Sequence, residues 1–174
     1  LSSQWSINNQ GYLGGTVDAD MDVDDAWNYA TGAGIKVAVI DEGVDLSHPD
    51  LTPNLLSGFD ATGNGSNGAP NESNNDAHGT ACAGIIAAVA NNTNGIAGVA
   101  YNAKIIPIRI AYSVGPNSTS WVSNDNWIAN GIDWAWQNGA DVLSNSYGGG
   151  SYSSTIERAI NNAVNFGRED LNGN

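Results

Sequence analysis

The feature that most constrains this chain is a short apolar run that ends on a carboxylate: Ile35-Lys-Val-Ala-Val-Ile40, then Asp41. A β-branched run this short and continuous reads as a strand buried on both faces, as in a parallel sheet. Similar runs recur at 105–110 and 141–146, although Pro107 inside the first of these counts against a central strand. Helical patterns lie between and after them. One spans 78–90, and a second spans 124–137 and closes on Asn138-Gly139. A third starts at Ser154, where Ser154-Thr-Ile-Glu157 matches a capping box. A shorter helical piece is expected over 25–30. Strands alternating with helices predict an α/β domain built on a mostly parallel, doubly wound sheet flanked by helices. Such sheets place ligands at the carboxyl ends of their strands, where Asp41 and Ser146 fall. The Gly-, Asn- and Ser-rich stretch 59–76 reads as a long surface loop.

A length of 174 residues suits one domain. With 18 acidic residues against 5 Lys plus Arg, the net charge of −13 argues against nucleic acid and anionic membranes as partners. It fits a secreted protein or one that binds divalent cations. No run of about 18 apolar residues exists to span a bilayer. Leu1 to Trp5 carry no signal-peptide pattern, which suggests a mature or trimmed chain. Cys82 is the only cysteine, so no intrachain disulfide can form. Two histidines and one thiol supply zinc poorly, whereas oxygen ligands for calcium are plentiful.

Two segments carry the chemistry. A carboxylate at the end of a buried strand needs a partner, although Asp41 alone could equally be a turn or helix cap. His78 opens an Ala-rich helix, Asp76-Ala-His78-Gly-Thr-Ala-Cys82-Ala-Gly84. A helix N-terminus disfavours imidazolium, so a histidine acting there as a base needs an anion, which Asp41 could supply. A serine hydroxyl needs a histidine to take its proton, and that histidine needs a carboxylate to hold its tautomer.

Four motifs occur in order: Val37-Ala-Val-Ile-Asp41-x-Gly with His48-Pro-Asp50-Leu; His78-Gly-Thr; Trp127-Ile-Ala-Asn-Gly-Ile-Asp-Trp134; and Ala140-Asp-Val-Leu-Ser-Asn-Ser146-Tyr-Gly. Together they resemble the subtilisin-like serine protease superfamily, from about residue 4 to 167. Gln4-Trp5, Thr31-Gly-Ala-Gly34 and His78-Gly-Thr-x-Cys82 are similar to its kexin branch. The resemblance implies that Asp41 is the triad aspartate and His78 the general base. It implies an Asp–His–Ser endopeptidase acting on polypeptide substrates, with a propeptide and the remainder of the domain as further partners. The family's Gly-Thr-Ser nucleophile motif does not occur here. It and the oxyanion-hole asparagine are expected beyond Asn174, making 1–174 the N-terminal portion of one peptidase domain with its sheet incomplete on the C-terminal side.

The resemblance further implies that Ser146, Tyr147 and Gly148 form the strand that pairs with substrate, with 112–120 as the opposite wall of the cleft. Glu42 is expected to favour a basic P2 side chain, although Gly149-Gly150-Ser151 stands where the kexin pattern has acids. It also implies a structural calcium site made of Asp50, the Asn92 side chain and the backbone oxygens of Val89, Asn94 and Ile96. Cys82, one turn after His78, is expected to be a small buried residue. The acidic run Asp18 to Asp25 fails as an EF-hand and reads as a solvated loop; Asp170 to Asn174 could begin a calcium loop. Two alternatives are a non-catalytic relative that binds peptide or calcium, and an unrelated α/β hydrolase. The missing Gly-x-Ser-x-Gly elbow weighs against the latter.

Overall fold

The computed structural model describes residues 4–116, 118 and 120–168; the possible calcium loop at 170–174 lies outside them. Strands β1 (Lys36–Asp41), β2 (Phe59–Asp60), β3 (Lys104–Arg109) and β6 (Val142–Asn145) form one sheet in the order β2-β3-β1-β6, every pair parallel. Strands β4 (Tyr112–Ser113) and β5 (Trp121–Val122) make a small antiparallel ribbon beside it. The helices are α1 (Val23–Ala26), α2 (His78–Ala87), α3 (Asp125–Gln137) and α4 (Ser154–Phe166).

The apolar runs are continuous because the sheet is buried on both faces. Ala38, Ile40, Ile106 and Ile108 point to one side, where they pack with Ala129, Ile132 and Ala135 of α3 and Ala159 of α4. Val37, Val39 and Ile105 point to the other, against Ala83 and Ala87 of α2. Helix α3 sits close to the sheet, since a Cβ on Gly131 would lie 2.6 Å from an Ile110 methyl. The pattern confirms a parallel sheet with helices on both faces.

Pro107 is tolerated for a specific reason. The odd residues of β3 turn their polar groups away from β1, as the bonds from Leu56 N to Ile105 O and from Ala61 N to Arg109 O show. On that side the ladder is interrupted between Leu55 and Phe59, and Gly58 and Gly68 approach the Pro107 carbonyl instead. The missing N–H therefore costs no bond to β1.

Several expected boundaries move. Helix α2 ends at Ala87, three residues early, because the Val89 N–H leaves the helix to donate to the Asp50 carbonyl. Ser153, not Ser154, caps α4 by accepting from the Ile156 N–H, and Glu157 instead accepts from the Tyr152 hydroxyl. The piece expected at 25–30 forms at Val23–Ala26. The stretch 59–76 is not all surface loop. Its first two residues form β2, and Asp60 there makes a buried ion pair with Arg109 at 3.2 Å.

Candidate active site

Asp41 ends β1 and His78 begins α2, which packs on β1. The close approach depends on glycine: a Cβ on Gly79 would lie 2.2 Å from the Gly43 carbonyl oxygen and 3.0 Å from the Asp41 Cβ. His78 Nδ1 is 2.9 Å from both oxygens of the buried Asp41 carboxylate. An Nδ1–H donating to Asp41 leaves Nε2 as the free lone pair on a half-exposed ring. The hydrogen bond to Asp41 raises the His78 pKa above the ordinary imidazole value, against the opposing effect of burial. Such a pair can take a proton at Nε2 and hold the resulting imidazolium.

Cys82 is brought to the same ring, as its spacing predicts, but it is half-buried, not enclosed. Its sulfur lies 3.9 Å from Nδ1 and 4.0 Å from Nε2, so it packs against the ring and favours neither nitrogen. Burial pushes the thiol pKa up, against a lowering effect of the Ser146 hydroxyl.

Ser146 follows β6 directly, beside Asp41, because Ile40 pairs with Asn145. Ser146 and Gly148 are exposed, and the positions around Gly148, Gly149 and Gly150 are open. Tyr147 is partly buried, donates its hydroxyl to Asn145 Oδ1 at 2.7 Å, and has its pKa pushed up to about 12 by that burial. Opposite stands the β4–β5 ribbon within 112–120 and its flank. Trp121, which the sequence did not single out, packs edge-on against His78 with ring centres 5.9 Å apart, and lies 6.4 Å from Tyr147. Its only advance signal was an aromatic residue in an otherwise polar loop.

Glu42 is placed differently from expectation. It is 3% exposed, and its Oε1 accepts the His78 backbone N–H at 2.6 Å. That carboxylate is engaged by the main chain at the start of α2. Burial raises its pKa, the His78 bond opposes this, and the charges of Asp76 and Asp41 add to it. Asp76 is also buried. One oxygen accepts from the Ser113 N–H at 2.9 Å, while the other has no partner among the described residues.

The five expected metal ligands gather at the end of α2. Val89, Asn92, Asn94 and Ile96 line one cavity of about 650 Å³ with Gln4. Asp50 adjoins it, accepting from Asn92 Nδ2 at 2.6 Å and from the Ile96 N–H at 3.0 Å. The loop bends tightly around this carboxylate, and a Cβ on Gly95 would lie 2.3 Å from it. One carboxylate, one amide and backbone carbonyls form a donor set that suits a hard cation. The acidic run from Asp18 is largely exposed, with Asp20 turned in to accept from the N–H groups of Asn9 and Asp22.

Comparison with known proteins points one way. The model of the subtilase family matches residues 32–171. Thermitase of Thermoactinomyces vulgaris is 42% identical over 142 residues, covering 82% of this chain and 47% of thermitase. An extracellular protease of Xanthomonas campestris pv. campestris is 38% identical over 195 residues, covering 96% of this chain and 32% of that protein. Among solved structures, a protease from Pseudoalteromonas arctica superimposes with a TM-score of 0.73 at 35% identity, covering 92% of this chain and 53% of the other. The chain thus spans half or less of the curated relatives named here.

Proposed function

The chain belongs to the subtilase family, and on that premise we propose that it is the N-terminal portion of the catalytic domain of a serine endopeptidase. Asp41 and His78 are the first two members of its Asp–His–Ser triad. The observation that carries this is the Asp41–His78 pair: Nδ1 is held by a buried carboxylate, and the ring that carries Nε2 is half-exposed. The nucleophilic serine belongs to a segment that this sequence does not include. In the reaction, His78 Nε2 accepts the serine proton as the serine oxygen bonds to the scissile carbonyl carbon. Asp41 stabilises the imidazolium, which passes its proton to the departing amine. Water, deprotonated by the same nitrogen, then hydrolyses the acyl ester.

Substrate lies extended along Ser146 to Gly148, whose open backbone suits pairing with an added strand, and Trp121 forms the facing wall. A kexin-like preference for basic residues would need acids on the open cleft. Glu42 is buried and Gly149 and Gly150 carry no charge, so our reading leaves that preference out. Calcium bound by Asp50, Asn92 and the carbonyls of Val89, Asn94 and Ile96 would supply cross-linking charge at the α2 end, not chemistry. The acidic balance and the extracellular relative support a secreted protein. A propeptide and the remainder of the domain are its proposed polypeptide partners.

The test is labelling of the full-length protein by a serine-directed fluorophosphonate. Labelling that is lost in His78→Ala supports the triad; equal labelling of that variant overturns it.

A further inference from the structure

Helix α2 starts without a cap of its own. Its N-cap position is Ala77, which offers no side-chain acceptor. The His78 N–H is met instead from another element, by Oε1 of Glu42 at 2.6 Å. Asp41 and Glu42 are successive residues, and each holds the same histidine. Asp41 takes the ring at Nδ1, and Glu42 takes the main chain. The two are tied together by the Glu42 N–H, which donates to Asp41 Oδ1 at 2.8 Å. The histidine is thereby fixed at both ends by a single turn of chain.

We propose that Glu42 is a positioning residue of the catalytic apparatus: a cap supplied by the residue that follows β1, which orients the helix carrying His78 and sets a second carboxylate beside that histidine. This rests on the triad reading above. Carboxylates at a helix N-terminus are favoured by the aligned peptide dipoles, and the buried setting weakens screening of the charge. The charged groups around Glu42 are Asp41 on its own segment, His78 at the start of α2, Asp76 just before that helix, and Arg109 of β3, which bridges to Glu42 through the backbone and directs its guanidinium to Asp60. Around His78 stand Asp41, Glu42 and the Cys82 thiol. Glu42 adds to the charges that raise the His78 pKa, behind the larger effect of Asp41.

The test compares Glu42→Gln and Glu42→Ala in the full-length protease, with His78→Ala alongside. Gln keeps an acceptor for the His78 N–H but removes the charge. The acidic limb of its kcat/KM profile is expected to move to lower pH. Ala removes both, and kcat is expected to fall by about tenfold or more, with KM near that of wild type because Glu42 touches no substrate. Gln should recover most of the kcat that Ala loses. A Gln variant whose acidic limb coincides with that of wild type overturns the inference, as does an Ala variant whose loss lies in KM. If the Ala variant fails to fold, the Gln profile decides alone. An inactive His78→Ala beside an unshifted Gln limb sinks only the role of Glu42; a fully active His78→Ala sinks the triad reading itself.

Discussion

Both carboxylate oxygens of Asp41 lie 2.9 Å from Nδ1 of His78, so a buried anion faces one edge of a half-exposed ring. The raised pKa of His78 has two consequences. For activity, Nε2 must be unprotonated to accept a proton, so the acidic limb of kcat/KM should lie above the ordinary imidazole value of about 6.5. For stability, the folded-state value exceeds the unfolded one. The stabilisation is therefore complete below the unfolded value and is lost as pH rises through the folded value. The Tm gap between wild type and Asp41→Asn should be larger in mildly acid buffer than in alkaline buffer. A gap that widens with rising pH would contradict this.

Asp41→Asn should also cost on the order of 10³–10⁴ in kcat, with KM little changed. The amide cannot hold the Nδ1–H tautomer or balance the imidazolium. Single-turnover acylation of the full-length protein measures this directly, and a loss below about tenfold would show that Asp41 is not the orienting group.

Gly79→Ala tests the contact that brings the pair together. Its new methyl would meet the Gly43 carbonyl oxygen at 2.2 Å, so α2 must move off β1. Overpacking of this kind costs about 1–3 kcal/mol, and a shift near 1 Å between catalytic groups costs about 10²-fold in rate. Gly84→Ala, on the same helix, meets nothing nearer than an Ile96 methyl carbon at 3.8 Å. It should leave activity intact and raise Tm slightly, since alanine favours helix by about 1 kcal/mol.

What the sequence made legible followed from local rules. The runs around Ile40 and Ile108 are apolar because both of their faces are covered, and Asp41 and His78 stand at element ends where a site can form. The rest depended on tertiary partners. Strand β2 is two residues long and exists because β3 offers an edge. Helix α2 ends where Asp50 recruits the Val89 N–H, which no Ala-rich periodicity marks. Glu42 follows Asp41 in sequence, but only the approach of α2 decides that it turns inward to His78 and not out to substrate.

Calcium linkage gives a separate test. An ion that binds only the folded form stabilises it by about 2.7 kcal/mol at a hundredfold excess over Kd. Strong chelation should therefore lower the Tm of the full-length protein. Asp50→Ala should lower it as well and should abolish the response to calcium, because it removes the one carboxylate around which Asn92 and Ile96 are arranged. An Asp50→Ala protein that still responds to calcium as wild type does would move the ion elsewhere.

Trp121 offers the most direct probe of the cleft wall. It lies between the rings of His78 and Tyr147, on a ribbon facing the open backbone after β6. An extended peptide paired along Ser146 to Gly148 would pass beneath it. Removing an aromatic contact of this kind costs about 0.5–1.5 kcal/mol beyond lost area, or a rise of roughly two- to twelvefold in KM. Trp121→Ala should therefore weaken binding of long peptide substrates while leaving the acidic limb of the pH profile in place, since the indole carries no charge to His78. Tyr147→Phe, which loses only the hydroxyl bond to Asn145, should change KM far less. If Trp121→Ala leaves KM unaltered for every extended substrate, the ribbon is not the wall of the cleft and peptide must cross the site in another direction.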